Sequence, residues 1–137
     1  RTAMIRNEQE LFDLIKKNIM PDLEKCEDQM SKYDCYSKKH NIDIELKCRR
    51  THYDDLLIER IKYDALIMRA EKNNTTAIYI NSTPKGVWSF KLNDLNSPSW
   101  ENRFMPQTTD FHKQKDVLKE VGYYNISVGK NLTNILI

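Results

Sequence analysis

The chain has 137 residues, with 22 Lys and Arg against 20 Asp and Glu, a net charge of +2. Charged residues make up 31% and hydrophobic ones 39%, and the mean hydropathy is −0.72, which describes a thin core under a wet surface. The 2 Trp, 7 Tyr and 4 Phe nonetheless supply enough large apolar side chains to argue against disorder. Apolar runs stop at four residues, as in Ala65-Leu66-Ile67-Met68, where a membrane-spanning helix needs about 20, so no membrane association is expected. Cys26, Cys35 and Cys48 form no CxxC and no His pair has metal spacing, which excludes a recognisable disulfide or zinc framework.

The opening Arg1-Thr2-Ala3-Met4 reads as the remnant of a cleaved expression tag before a native start, leaving residues 4–137 as a single domain. Asn73, Asn74, Asn81, Asn125 and Asn131 each begin an Asn-x-Ser/Thr triplet, the glycan acceptor pattern of secreted proteins. With 12 Asn and 15 Ser or Thr such triplets arise by chance, and no basic-then-apolar leader precedes them. A cytoplasmic protein is expected, with a secreted, glycosylated interaction domain as the remote alternative.

Asn7 is a good N-cap, Glu8 and Glu10 suit the first turn, and Leu11, Leu14, Ile15 and Ile19 follow helical spacing. Pro21 interrupts that helix, and a second acidic helical stretch is expected to run to about Asp28. Ile42, Ile44, Leu46 and Cys48 then alternate with Asp43, Glu45, Lys47 and Arg49, a period of two that predicts a strand with one face in the core. The polar Ser37–Asn41 segment predicts a turn from a preceding strand that carries Asp34. Thr51 to Asp54 offer N-caps for a helix through Leu57, Ile58, Ile61, Ala65 and Met68. Ala77–Ile80 and Val87–Phe90 predict a hairpin, with Trp88 and Phe90 in the core. Residues 93–112 are expected to be mostly loop, which Trp100 pins rather than stacking on a base, and His112 to Val121 a last helix. The order helix, strand, strand, helix, strand, strand, helix describes one layered α/β (α+β) domain.

The alternating strand carries the functional signal. Glu45 and Lys47 project from one face, and a hairpin through residues 37–41 brings Asp34 near Glu45, since opposed side chains lie about 5 Å apart. Paired carboxylates are hard oxygen ligands suited to Mg²⁺, which activates water and neutralises phosphoryl charge, while an amine beside them stabilises the developing anion. Taken alone, Glu-x-Lys far more often marks a solvated ion pair on a half-buried strand.

The stretch from Asp34 to Glu45-Leu46-Lys47 resembles the signature of the restriction-endonuclease-like nucleases, the PD-(D/E)xK superfamily, over residues 8 to about 92. The resemblance implies a central mixed β-sheet flanked by helices in a restriction-endonuclease-like core. It implies a metal-dependent nuclease hydrolysing DNA phosphodiesters, a junction-resolvase-like enzyme acting as a homodimer being one form. Asp34 and Glu45 would bind Mg²⁺ (or Mn²⁺), the Leu46 carbonyl would contact it, Lys47 would handle the attacking water, and Glu8 on the first helix would add a ligand. Tyr33 stands where the signature has Pro, whereas Pro21-Asp22-Leu23-Glu24-Lys25 imitates the written motif on a stretch expected to be helical. Arg49, Arg50 and His52 follow the site as cations for a phosphate backbone, and Lys62 on the next helix would point back to the scissile phosphate. Arg60 and Arg69 add positive charge on that helix, with a solvated face shared with Glu59 and Asp64 at least as good a reading for Arg69. A non-catalytic nucleic-acid-binding module on the same fold is the alternative.

Overall fold

A computed structural model describes residues 4–27, 34–107 and 115–137. Helix α1 (Glu8–Asn18) starts at Asn7, whose side chain accepts the Glu10 amide at 2.9 Å, and buries Leu11, Phe12 and Ile15. The strands β1 (Glu24–Lys25), β2 (Asp34–Ser37) and β3 (Ile42–Cys48) follow, then β4 (Asp55–Glu59) and helix α2 (Arg60–Asn73). β5 (Thr76–Thr83) and β6 (Gly86–Lys91) form a hairpin. β7 (Glu101–Pro106), β8 (Asp116–Asn125), β9 (Lys130–Asn131) and the short α3 (Thr133–Leu136) complete the chain.

Six strands form a mixed sheet in the order β1-β2-β3-β5-β6-β9, and β4-β8-β7 form a second sheet of three. β3 and β5 run parallel and the other pairs antiparallel. A parallel pair needs a long crossover, which α2 supplies. α1 covers one face of the larger sheet, where Leu11 and Ile15 pack with Ile44, Leu46, Ile80 and Val87. Leu66 and Ala70 of α2 lie on the other side, with Ala77, Tyr79, Trp88 and Phe90. The expected α+β domain, a mixed sheet flanked by helices, is therefore present. Among the described residues no helix is long and apolar enough to cross a membrane.

Four expectations about elements are corrected. Glu24–Lys25 is a strand, not helix: α1 stops at Asn18, Pro21 lacks an N–H, and buried Leu23 anchors the chain so that Glu24 pairs with Tyr36. Residues 55–59 are a strand, with buried Leu56 and Ile58 alternating and paired to Tyr124 and Gly122, so α2 begins only at Arg60. Instead of loop, residues 101–106 form β7, an edge strand whose Pro106 sits at its end, where no ladder donor is needed. Instead of a last helix, residues 116–125 form β8, paired on both sides by β4 and β7. Residues 1–3, Asp28, Tyr33 and the start of that expected helix at His112 lie outside the described residues.

Trp88 and Phe90 are buried as expected, and Trp100 rests edge-on against Tyr63, with ring centroids 5.3 Å apart. Gly86 closes the β5–β6 turn at φ +156°, where a Cβ would collide with the Thr133 hydroxyl. Asn81 is fully buried and donates to the Tyr79 hydroxyl at 3.0 Å, so this one of the five triplets has no room for a glycan in the folded chain.

Candidate functional site

β3 is covered on both faces, which corrects the expectation of a single buried one: Ile44 and Leu46 lie under α1, while Asp43 and Glu45 are buried beneath α2. The hairpin register places Asp34 directly opposite Glu45, and Tyr36 opposite Asp43. Directly opposed residues share a face of the sheet, so the two carboxyls converge. Asp34 is 3% and Glu45 8% exposed. Burial pushes Glu45 up to about 9, with the hydrogen bond to Asp34 and the Asp34 charge adding to it and Lys62 and Arg69 opposing it. At neutral pH the pair therefore holds one proton, as closely set carboxylates do in a dry site.

Arg69 reaches down from α2 into this pair. Its guanidinium meets Asp34 Oδ2 at 2.7 Å and Asp43 Oδ1 at 2.9 Å, and donates to the Ile44 carbonyl at 3.1 Å. Asp43 also accepts from Thr75 Oγ1 at 2.5 Å and Asn73 Nδ2 at 3.2 Å. The solvated role expected for Arg69 is thus corrected, because the β3–α2–β5 crossover lays its helix over the acidic face of β3.

Lys47 continues the row beyond Glu45. A small cleft of about 30 Å³ is bordered by Glu45, Lys47, Arg49, Glu59, Lys62 and Tyr79, room for one or two water molecules. Burial holds Lys47 below the ordinary lysine range and Arg49 adds to that, with Glu8, Glu59 and Glu45 opposing. Tyr79 closes the floor, donating to the Leu57 carbonyl at 2.9 Å, and burial pushes its phenol up to about 12.

The other expected residues divide. Lys62 and Arg49 border the cleft with Glu45, and Arg49 donates to the Leu57 carbonyl at 3.1 Å. The described β2 ladder ends at Asp34–Glu45, and Leu46 continues β3 beyond it, paired with Ile80. Glu8 reaches the far end of β3, where its Oε2 accepts the Cys48 amide at 3.2 Å. His52 is turned elsewhere, with Nδ1 2.8 Å from Thr83 Oγ1 and Nε2 2.9 Å from Asp54, and Arg50 is exposed. Sequence reasoning set Asp43 beside Glu45 but gave it no role in the site, and it missed Tyr79. The parity of Asp43 with Glu45 is the signal that places the first; nothing marks the second.

Among the described residues no group of three or more His, Cys, Asp and Glu side chains is arranged to hold a metal ion. No protein-family model, curated protein or solved structure matches the chain.

Proposed function

We propose that the protein is a metal-dependent nuclease that hydrolyses DNA phosphodiester bonds, with Asp34, Glu45 and Lys47 as its centre. The single observation that carries this reading is the register pair Asp34–Glu45, two buried carboxyls face to face with Lys47 next in the row. The element order adds support: α1 precedes the β2–β3 hairpin and α2 follows it, the helix before and helix after that the resemblance implies, with β1 and β4 in between.

The donor set fits a divalent cation. Two hard oxygen groups face each other, and their second negative charge is so costly that a proton is retained in its place; a dication removes that cost. Asp34, Glu45 and the Leu46 carbonyl would hold it, with Glu8 at the end of β3 as an outer contributor. Mg²⁺, with Mn²⁺ as a substitute, supplies a water of lowered pKa and neutralises phosphoryl charge. Lys47, held below its usual range, orients a water in the cleft and stabilises charge developing on the phosphate. Lys62 and Arg49 place further positive charge at the same opening. Two copies in a homodimer would present symmetric sites for cutting both strands.

One observation favours the second reading, a non-catalytic nucleic-acid-binding module: Arg69 already occupies Asp34 at 2.7 Å. The deciding experiment is Mg²⁺- or Mn²⁺-dependent nicking of plasmid and branched DNA by wild type, Glu45→Ala and Lys47→Ala. The nuclease reading predicts losses of about 10²–10⁴ in each variant. Equal activity in all three discards the assignment, and an inactive wild type that still binds DNA favours the second reading.

A further inference from the structure

The cleft at Glu45 is of water size, but a larger concavity of about 400 Å³ opens further along the same strands, a size typical of small-ligand sites. Its wall includes Tyr36, Lys38, Asn41, Asp43, Asn73 and Thr75. Tyr36 lies two residues beyond Asp34 on β2 and opposite Asp43, so it shares the face of the catalytic pair, about 7 Å along the strand.

The lining has a definite chemistry. The Tyr36 hydroxyl donates to Glu24 Oε2 at 2.8 Å, which fixes the ring as a flat platform. Asn41 Nδ2 donates one N–H to the Asn74 carbonyl at 3.1 Å, and Asn73 Nδ2 donates one to Asp43 Oδ2 at 3.2 Å. Each side chain keeps its carbonyl oxygen and a second N–H, so both an acceptor and a donor face a ligand. Lys38 is exposed at the rim. The neighbouring carboxylates are committed, Asp43 to Arg69, Asn73 and Thr75, and Glu24 to Tyr36. An aromatic platform, two side-chain amides with donor and acceptor to offer, and an ammonium match the face and hydrogen-bonding edge of a base and a phosphate.

We propose that this cavity takes one unpaired nucleotide of a DNA strand, its base stacked on Tyr36 and its phosphate on Lys38. This rests on the nuclease reading for the path of the strand past Asp34 and Glu45, and it makes the substrate single-stranded or splayed beside the cut. A duplex cannot present a base face to Tyr36 without first unstacking it, so it binds less tightly than a single strand.

The test is fluorescence anisotropy in EDTA, where no cleavage occurs, with a labelled single-stranded DNA oligonucleotide and the same strand annealed to its complement. The wild type binds the single strand more tightly. Tyr36→Leu weakens that binding about 5- to 100-fold, the worth of one stacked base, whereas Tyr36→Phe, which keeps the ring and loses the Glu24 contact, does not. Lys38→Ala lowers the slope of log affinity against log salt by about 0.7, one phosphate on a single strand. Wild-type affinity in Tyr36→Leu, equal weakening in Tyr36→Phe and Tyr36→Leu, or equal binding of single strand and duplex overturns the proposal. Failure here leaves the nuclease reading intact if wild type still nicks plasmid with Mg²⁺. Single-strand binding through Tyr36 without any cleavage leaves the cavity and removes the nuclease.

Discussion

The two faces of β3 are equally buried and chemically opposite. Under α1, Ile44 and Leu46 meet Leu11 and Ile15 and need no specific partners; each such side chain contributes about 1.5–3 kcal/mol on burial. Under α2, Asp43 needs Arg69, Thr75 and Asn73, and Glu45 keeps a proton that a free carboxyl would lose. A buried polar row is at best neutral for stability compared with apolar side chains of the same size. Its presence across the sheet from an ordinary core is the physical reason to look for chemistry there.

The contrast can be broken from either side. Arg69→Met strands Asp34 and Asp43 in a dry site, and urea denaturation is expected to show a loss of about 3–5 kcal/mol. Leu46→Ala on the other face leaves a cavity and costs about 2–5 kcal/mol, and that loss is independent of pH. The pH dependence separates the faces more finely. Glu45 is raised from 4.5 to about 9, so between those values the unfolded chain gives up a proton that the folded one retains. Stability from this group is complete below pH 4.5 and falls as pH rises toward 9. Thermal melts across that window are expected to show the decline in wild type and its loss in Glu45→Gln; an unchanged slope in the variant contradicts the assignment. The smallest effect belongs to the surface: Arg60→Ala removes contacts to Glu120 at 3.0 Å and Asp64 at 3.6 Å, all of these side chains being 44% or more exposed. At most about 1 kcal/mol is expected in the same melts.

The β2–β3 hairpin was legible because alternation over residues 42–49 sets the strand and a short polar turn follows a weaker strand, which brings Asp34 near Glu45; the register, Asp34 opposite Glu45, comes from the structure. The second sheet was not. β4 finds its partner only in β8, Asp55 opposite Asn125, and in isolation its residues blend into the helical pattern that follows. β7 is mostly exposed and has little apolar alternation to announce it. Arg69 looked solvated because neighbouring charges on its helix mask the inward side, and only the crossover reveals what lies beneath. The cavity beside Tyr36 is likewise assembled from a hairpin turn and a helix end more than 30 residues apart, Asn41 bonding to Asn74.

Calorimetric titration of Mn²⁺ into wild type and Glu45→Gln tests most directly whether the acidic pair is a cation site. One ion is expected to bind the wild type, more tightly as pH rises toward 9 because the ion displaces the shared proton, and the variant is expected to lose most of that affinity. Equal binding in both proteins, or none in the wild type at any pH in that range, would contradict it.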